Sequence, residues 1–222
     1  MNKKYEKILV VFPHPDDEAF GVSGTLAKYI HEGAQVTYAC LTLGEMGRNM
    51  GFPPFANRVT LPLIRKLELE ASCRAIGIQD VRMLGFHDKT IEFEDPDHLD
   101  AQLDALIREI EPSLVITFYP GYSVHPDHDA TGAAVVRTIS KIAREKRPVI
   151  QCVAFSNDRE QAIGKPDIVN DISKFLAQKL ASLEAHESQF KVSELLGTQK
   201  VNDKEIVSRF GVEQLWTYSF ID

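Results

Sequence analysis

The sequence predicts an α/β fold of Rossmann-like architecture: a mainly parallel sheet with helices on both faces. Strand-like and helix-like segments alternate along most of the 222 residues, the pattern of βαβ units. The strand segments are short continuous apolar runs, as strands covered on both faces require. Clusters of polar and ionisable residues follow the first four of them, at the sheet edge where such folds bind ligands.

Each element follows from local composition. Lys7–Phe12 (KILVVF) is rich in β-branched residues and suits a buried strand. Glu18 to His31 reads as a helix, with Leu26, Ala27 and Ile30 on one face and Gly33 as its stop. Gln35–Leu41 (QVTYACL) is the second strand. The segment TLGEMGRNMGFPPFANRVT is broken by glycine and proline too often for regular structure, and loops of that length are functional or disordered. Leu61 to Ile76 is helical, with Leu63, Leu67, Ala71 and Ala75 at helical spacing. VRMLGF is the third strand, and Leu99 to Glu111 a helix ended by Pro112. Ser113–Tyr119 is the fourth strand, Asp129 to Lys146 the helix behind it, and Val149–Phe155 the fifth strand. Asp171-Ile172-Ser173 marks a helix start, with the helix running to about Ser188, and EQLWTYSFI reads as an edge strand. No repeat, linker or low-complexity segment divides the chain, so residues 1–222 form one expected domain.

Bulk properties narrow the function. At 44% hydrophobic and 26% charged, the composition is that of a soluble globular protein. A net charge of −7 argues against a nucleic-acid or anionic-membrane surface. No apolar run approaches the roughly 20 residues of a membrane span. Too few apolar residues follow the basic N-terminus before Pro13 and His14 for a signal peptide, so the expected location is the cytoplasm. Cys40, Cys73 and Cys152 are few, odd in number and widely spaced, as reduced core thiols are.

The chemistry concentrates in two stretches. After the first strand the chain reads HPDDE, His14 to Glu18; after the fourth it reads HPDH, His125 to His128. His14 and Asp17 are three apart, as are His125 and His128, and residues so spaced can face the same way on a turn or a first helical turn. Two imidazoles and a carboxylate are a common ligand set for a catalytic zinc whose fourth position is left to water. A carboxylate beside the ligands can take the water's proton, and a further imidazole can support an oxyanion or protonate a leaving group. The pattern points to metal-assisted hydrolysis of an amide or ester, and spacing leaves open which members bind the metal. An acidic first helical turn would explain the carboxylates, but neither His14 nor the echo at His125. A dinucleotide site is the obvious competitor for this fold, yet HPDDEAFGVSG stands where G-x-G-x-x-G would be.

At these residues the sequence resembles the PIG-L/LmbE-like family of zinc-dependent N-acetylglucosamine deacetylases, whose signatures are H-P-D-D-E and H-P-D-H. The resemblance covers nearly the whole chain. LTLGEMG resembles the family's T-x-G-E-x-G loop, IRKLELEAS its R-x-x-E-x-x-x-A helix, and KPDIVNDISKFLAQKLASLEAHESQF the C-terminal segment of the bacillithiol-biosynthesis branch. That branch removes acetate from N-acetylglucosaminyl malate. The resemblance implies His14, Asp17 and His128 as ligands of zinc, with ferrous iron as the alternative ion. It implies Asp16 as the general base, His125 as the group supporting the oxyanion and the leaving amine, and Asp127 as its orienting or charging partner. It further implies Arg65 and Tyr122 as substrate contacts, and a homo-oligomer, trimeric or hexameric; Glu45 and Arg48 are substrate-contact candidates by their place on the glycine- and proline-rich loop. Two positions depart from relatives: Val124 stands where some carry arginine, and Ser123 where others carry tyrosine. Alternative expectations are an amidase or deacetylase acting on a thiol S-conjugate or chitin disaccharide, and a non-catalytic metal- or sugar-binding module. His186 is expected to be structural, His31, His87 and His98 to lie on the surface or in loops, and Glu18 has no assigned role.

Overall fold

The computed structural model describes residues 5–193 and 204–220. A seven-stranded sheet forms the centre, in the order β3-β2-β1-β4-β5-β7-β6. The strands are β1 (Lys7–Phe12), β2 (Gln35–Cys40), β3 (Asp80–Met83), β4 (Leu114–Phe118), β5 (Val149–Val153), β6 (Ile168–Asp171) and β7 (Val212–Thr217). The first five pair in parallel, while β7 runs antiparallel to both β5 and β6. β7 is therefore an interior strand, and β6, not expected from the sequence, is the edge. The apolar residues Leu215 and Trp216 of β7 are buried, and both sides of that strand are paired.

Successive residues of β1 point into different cores, as the two-residue period of a strand demands. Ile8, Val10 and Phe12 pack on the face covered by α2 (Ser23–His31) and α3 (Leu61–Ile76). Leu9 and Val11 pack on the face covered by α4 (Pro96–Ile110) and α5 (Pro126–Ser140). A third cluster joins α1 (Asp17–Gly21), α7 (Leu176–Glu184) and α8 (Lys204–Phe210) through Ala19, Leu180, Leu183 and Ile206. A short helix, α6 (Arg159–Ile163), lies between β5 and β6. Cys40, Cys73 and Cys152 are buried free thiols. No described helix is long and apolar enough to cross a membrane.

Several boundaries differ from the sequence reading. The expected helix from Glu18 to His31 is two helices broken at Val22, whose backbone is not helical (φ −147°, ψ 5°). The carboxylate of Glu213 on β7 stabilises the break, accepting from the N–H groups of Gly24 and Thr25 at the new N-terminus of α2. α4 begins at Pro96 because Asp95 caps it, accepting from the Asp97 N–H at 2.9 Å. α5 likewise starts at Pro126 and stops at Ser140, short of Lys146. Asp171 closes β6 and accepts from the Ser173 N–H, opening a 3₁₀ turn before α7.

The largest change concerns α3. Leu63 and Leu67 face outward, each 63% exposed, and the buried face carries Arg65, Glu68 and Ser72 among Leu61, Leu69 and Cys73. The topology explains why polar groups belong there. The chain leaves β1 toward β2 and β3 on one side, then returns to β4 on the other. The crevice between the carboxyl ends of β1 and β4 is the switch point where open α/β sheets bind ligands, and α3 lies beside it.

Candidate metal centre

HPDDE leaves β1 and HPDH leaves β4, so the sheet order makes neighbours of two motifs more than a hundred residues apart. His14 Nδ1 lies 3.2 Å from His128 Nε2 and 3.6 Å from Asp17 Oδ2. His128 Nε2 lies 3.1 Å from Asp17 Oδ1. Atoms about 2.0–2.2 Å from a tetrahedral ion stand roughly 3.4 Å apart, so these three donors have the spacing of one face of such a site. His14, His125 and His128 also bring ring nitrogens within 4.8 Å of one another.

The surroundings orient these donors. His14 Nε2 meets Asp127 Oδ2 at 3.1 Å and Asp88 Oδ1 at 3.2 Å, which places its proton on Nε2 and leaves Nδ1 free to act as a ligand. Asp127 is fully buried and its oxygens also accept from the N–H groups of Lys89 and Ile91. Asp88 accepts from the Met46 N–H. His128 is held at Nδ1 by the Ser123 carbonyl, 3.1 Å away, and its ring stacks on Phe118 at 4.0 Å and 6°.

Charge in the cluster leans negative and favours a bound cation. Burial opposes protonation of His14, yet bonds to Asp127 and Asp88 outweigh it and push its pKa up to about 10. Burial also works against a charged His128, and the Asp17 carboxylate overrides it and raises the pKa. Asp17 responds oppositely: burial would raise it, but the His128 charge holds it below the usual range. Such a site takes up positive charge, as protons on the imidazoles or as a metal ion that displaces them. The donor set therefore fits a divalent metal.

Asp16 sits beside the donors in a left-handed backbone conformation (φ 103°), rare for a residue with a side chain. Its carboxylate accepts from Arg65 Nη2 at 2.8 Å, and its side chain remains 22% exposed at the floor of the cleft. Burial raises its pKa, the Arg65 charge opposes the rise, Asp17 reinforces it, and the net value is about 6. Arg65 is itself buried; it also donates to the Gly44 carbonyl at 2.9 Å and to the Pro15 carbonyl. His125 caps α5: its Nδ1 accepts from the Asp127 N–H at 3.1 Å, which leaves a proton on Nε2. Burial lowers the pKa of His125, and positive charge on His14 and His128 lowers it further.

A cleft of about 300 Å³ opens over these groups, lined by Asp16, Arg65, His125 and His128 and flanked by Arg48, Lys89 and Gln189. Arg65 thus reaches the cleft with its guanidinium already engaged by Asp16. Glu45 binds the Asp88 N–H at 3.2 Å, behind the cleft wall. Tyr122 packs edge-on against Tyr119 and is not among the cleft-lining residues. The carboxylate of Asp127 contacts His14, whereas His125 is met by the Asp127 backbone. His87 is exposed, and its neighbour Asp88 enters the site. Asp88 was foreshadowed only by its position after the third strand. Gln189 had no sequence signal; the bond from Asn49 Nδ2 to its carbonyl and the one it returns to the Asn49 carbonyl bring it there.

Residues 9–139 match the family model for PIG-L, GlcNAc-PI de-N-acetylase. A probable N-acetyl-alpha-D-glucosaminyl L-malate deacetylase 2 of Bacillus cereus is 51% identical, over 96% of this chain and 98% of its own. A protein of the same name from Bacillus subtilis strain 168 is 47% identical, over 98% and 99%. Among solved structures, N,N'-diacetylchitobiose deacetylase from Pyrococcus horikoshii superposes with a TM-score of 0.71 at 22% identity, covering 96% of this chain and 84% of its own. The 4-carboxy-2-hydroxymuconate hydratase GalB of Pseudomonas putida KT2440 gives 0.74 at 18% identity, covering 98% of each. A hydratase and a deacetylase on one scaffold show that this fold alone does not name a reaction. The family match and the near full-length relatives do: this chain belongs to the PIG-L family of de-N-acetylases.

Proposed function

We propose that this enzyme hydrolyses the acetamide of N-acetylglucosaminyl malate, releasing acetate and the free glucosaminyl amine in bacillithiol biosynthesis. The names of the Bacillus relatives support the substrate. The observation that carries the chemistry is the triangle of His14, Asp17 and His128 with Asp16 beside it and His125 facing it. A zinc ion held by those three donors would lower the pKa of a water from about 15.7 towards 7 and polarise the amide carbonyl. Ferrous iron would suit the same donors.

The chain's own groups then divide the work. Asp16, held at 2.8 Å by Arg65, takes a proton from the attacking water as oxygen bonds to the carbonyl carbon. The Nε2–H of His125 donates to the oxygen that gains negative charge; Nδ1, engaged with the Asp127 N–H, keeps that proton in place. When the C–N bond breaks, the proton on Asp16 passes to the sugar nitrogen, and His125 continues to support the departing acetate. Arg48 and Lys89 at the cleft rim supply cations for the two malate carboxylates. Arg65 is better placed to hold the base than to meet substrate, and Glu45 acts through the loop that carries Asp88.

Residues 1–222 are read as one such domain, working in the cytoplasm as a homo-oligomer; light scattering of the purified enzyme tests the assembly. The decisive assay is fluorogenic amine release from N-acetylglucosaminyl malate, before and after chelation and with zinc or ferrous iron restored. Diacetylchitobiose and an acetylated thiol S-conjugate serve as competing substrates. A preference for either competitor would overturn the substrate assignment. Turnover that survives complete metal removal would overturn the metal's role.

A further inference from the structure

Glu18 is the one member of HPDDE without a part in the site just described. It is fully buried, and so is His186, which follows α7 and lies outside the residues that match the family model. The two form an ion pair, His186 Nε2 to Glu18 Oε1, at 2.7 Å. Glu18 Oε1 also accepts from Ser72 Oγ at 2.5 Å. Glu18 Oε2 accepts from the Tyr38 hydroxyl and from the backbone N–H of Asp16, each at 3.1 Å. One carboxylate thus joins β2, α3, the turn after α7 and the peptide of Asp16.

A residue in the left-handed region persists only where its surroundings fix it. Asp16 is fixed at two points, its side chain by Arg65 and its peptide N–H by Glu18. His186 Nδ1 is buried and has no hydrogen-bond partner among the described residues, so the bond to Glu18 is where the ring spends its polarity. Buried ion pairs are weak devices for stability, since apolar residues of the same volume do as well. Their value here lies in direction. We propose that Glu18 and His186 are positioning residues for Asp16: the segment after α7 holds Glu18, and Glu18 holds the backbone from which the base is aimed. The proposal rests on the reading of Asp16 as the base.

The test uses the full chain loaded with zinc. Glu18→Gln keeps an oxygen for the Asp16 N–H but breaks the ion pair. His186→Leu removes the donor, and His186→Gln restores an N–H near the place of Nε2. Ser72→Ala serves as the milder variant if either of the first two fails to fold. Metal content, kcat and KM for amine release are measured on each. The expected result is bound zinc and KM near wild type, with kcat down by about tenfold to a hundredfold for Glu18→Gln and His186→Leu. Ser72→Ala should lose kcat by a smaller factor, and His186→Gln should recover most of it. Variants that lose thermal stability but keep wild-type kcat would overturn the proposal. If the wild-type enzyme releases no amine from any acetylated sugar, the deacetylase reading fails by itself. Positioning is then judged by the crystal structure of Glu18→Gln: an unchanged Asp16 backbone refutes it, and an Asp16 out of the left-handed region supports it.

Discussion

Replacing Gly44 by alanine should disable Asp16, the proposed base, without touching it. Gly44 has φ +64°, and a Cβ there would overlap Nη1 and Cζ of Arg65 and stand 2.9 Å from Nε. The guanidinium would have to withdraw by roughly 2 Å to regain van der Waals separation. That displacement breaks its bonds to Gly44, Pro15 and Asp16 together. The left-handed alanine costs about 1 kcal/mol, and the lost charge-assisted bond to Asp16 about 2–3 kcal/mol more. For a domain of this size the total corresponds to a fall in Tm of about 10 °C. On the proposed mechanism Asp16, released by Arg65, drifts from the water it would deprotonate, and a 1 Å misplacement of a reacting group costs on the order of a hundredfold in rate. Amine release and differential scanning calorimetry read the two effects. Gly85→Ala is the control: φ is +79° but nothing lies within 4 Å, so it should carry the backbone cost alone and keep kcat. Equal behaviour of the two variants would refute the link from Gly44 through Arg65 to the base.

Asp16→Asn should retain its metal, measured by plasma mass spectrometry, and lose about 10²–10⁴ in kcat; wild-type turnover would remove Asp16 from the mechanism. His128→Ala should weaken metal binding by more than the roughly 10–100-fold that changes around a ligand cost, and undiminished metal after dialysis would contradict its assignment. Asp100→Asn probes pH-dependent stability away from the site. Burial of Asp100 would raise its pKa, but bonds from Arg137 and Lys141 hold it below the usual value. A depressed folded pKa contributes stability above the unfolded value, near pH 3.9, that is lost as pH falls through the folded one. Both cations are largely solvent-exposed, so about 1 kcal/mol is expected at pH 7. The gap in denaturation midpoint between variant and wild type should hold from pH 7 to 5 and close below pH 4; a constant gap down to pH 3 would refute the ion pairing.

The parallel strands were legible because burial on both faces writes itself as continuous apolar runs, as in β1, β4 and β5. The two His-rich motifs were legible because their residue types and spacing have few other uses. Apolar periodicity misled on α3, whose buried face carries Arg65, which holds Asp16, Ser72, which meets Glu18, and Glu68, which meets Ser188, while Leu63 and Leu67 are left in solvent. β7 looked like an edge strand because its residues carry no mark of the antiparallel partner on each side. Asp88, Gln189 and the Glu18–His186 pair depend on contacts across long sequence separations, which a local pattern cannot encode. His186 was expected to be structural and is buried as that requires, but its partner Glu18 adjoins Asp17 in the sequence.

The interior place of β7 has a consequence for how the chain is made. Among the described residues β6 pairs only with β7, and β5 has β7 on its far side, so both present open hydrogen-bonding edges until residues 212–217 have been synthesised. Synthesis runs from the N-terminus, so β1 to β5 can assemble on the ribosome while the sheet is still unfinished. Glu213 of that same strand caps α2 and pairs with Lys179 in the interior at 2.6 Å. β7 therefore joins β5 to β6, secures the break between α1 and α2, and completes a buried charge pair. A nascent chain that stalls before it presents two unpaired β edges, the template for aggregation that finished sheets avoid.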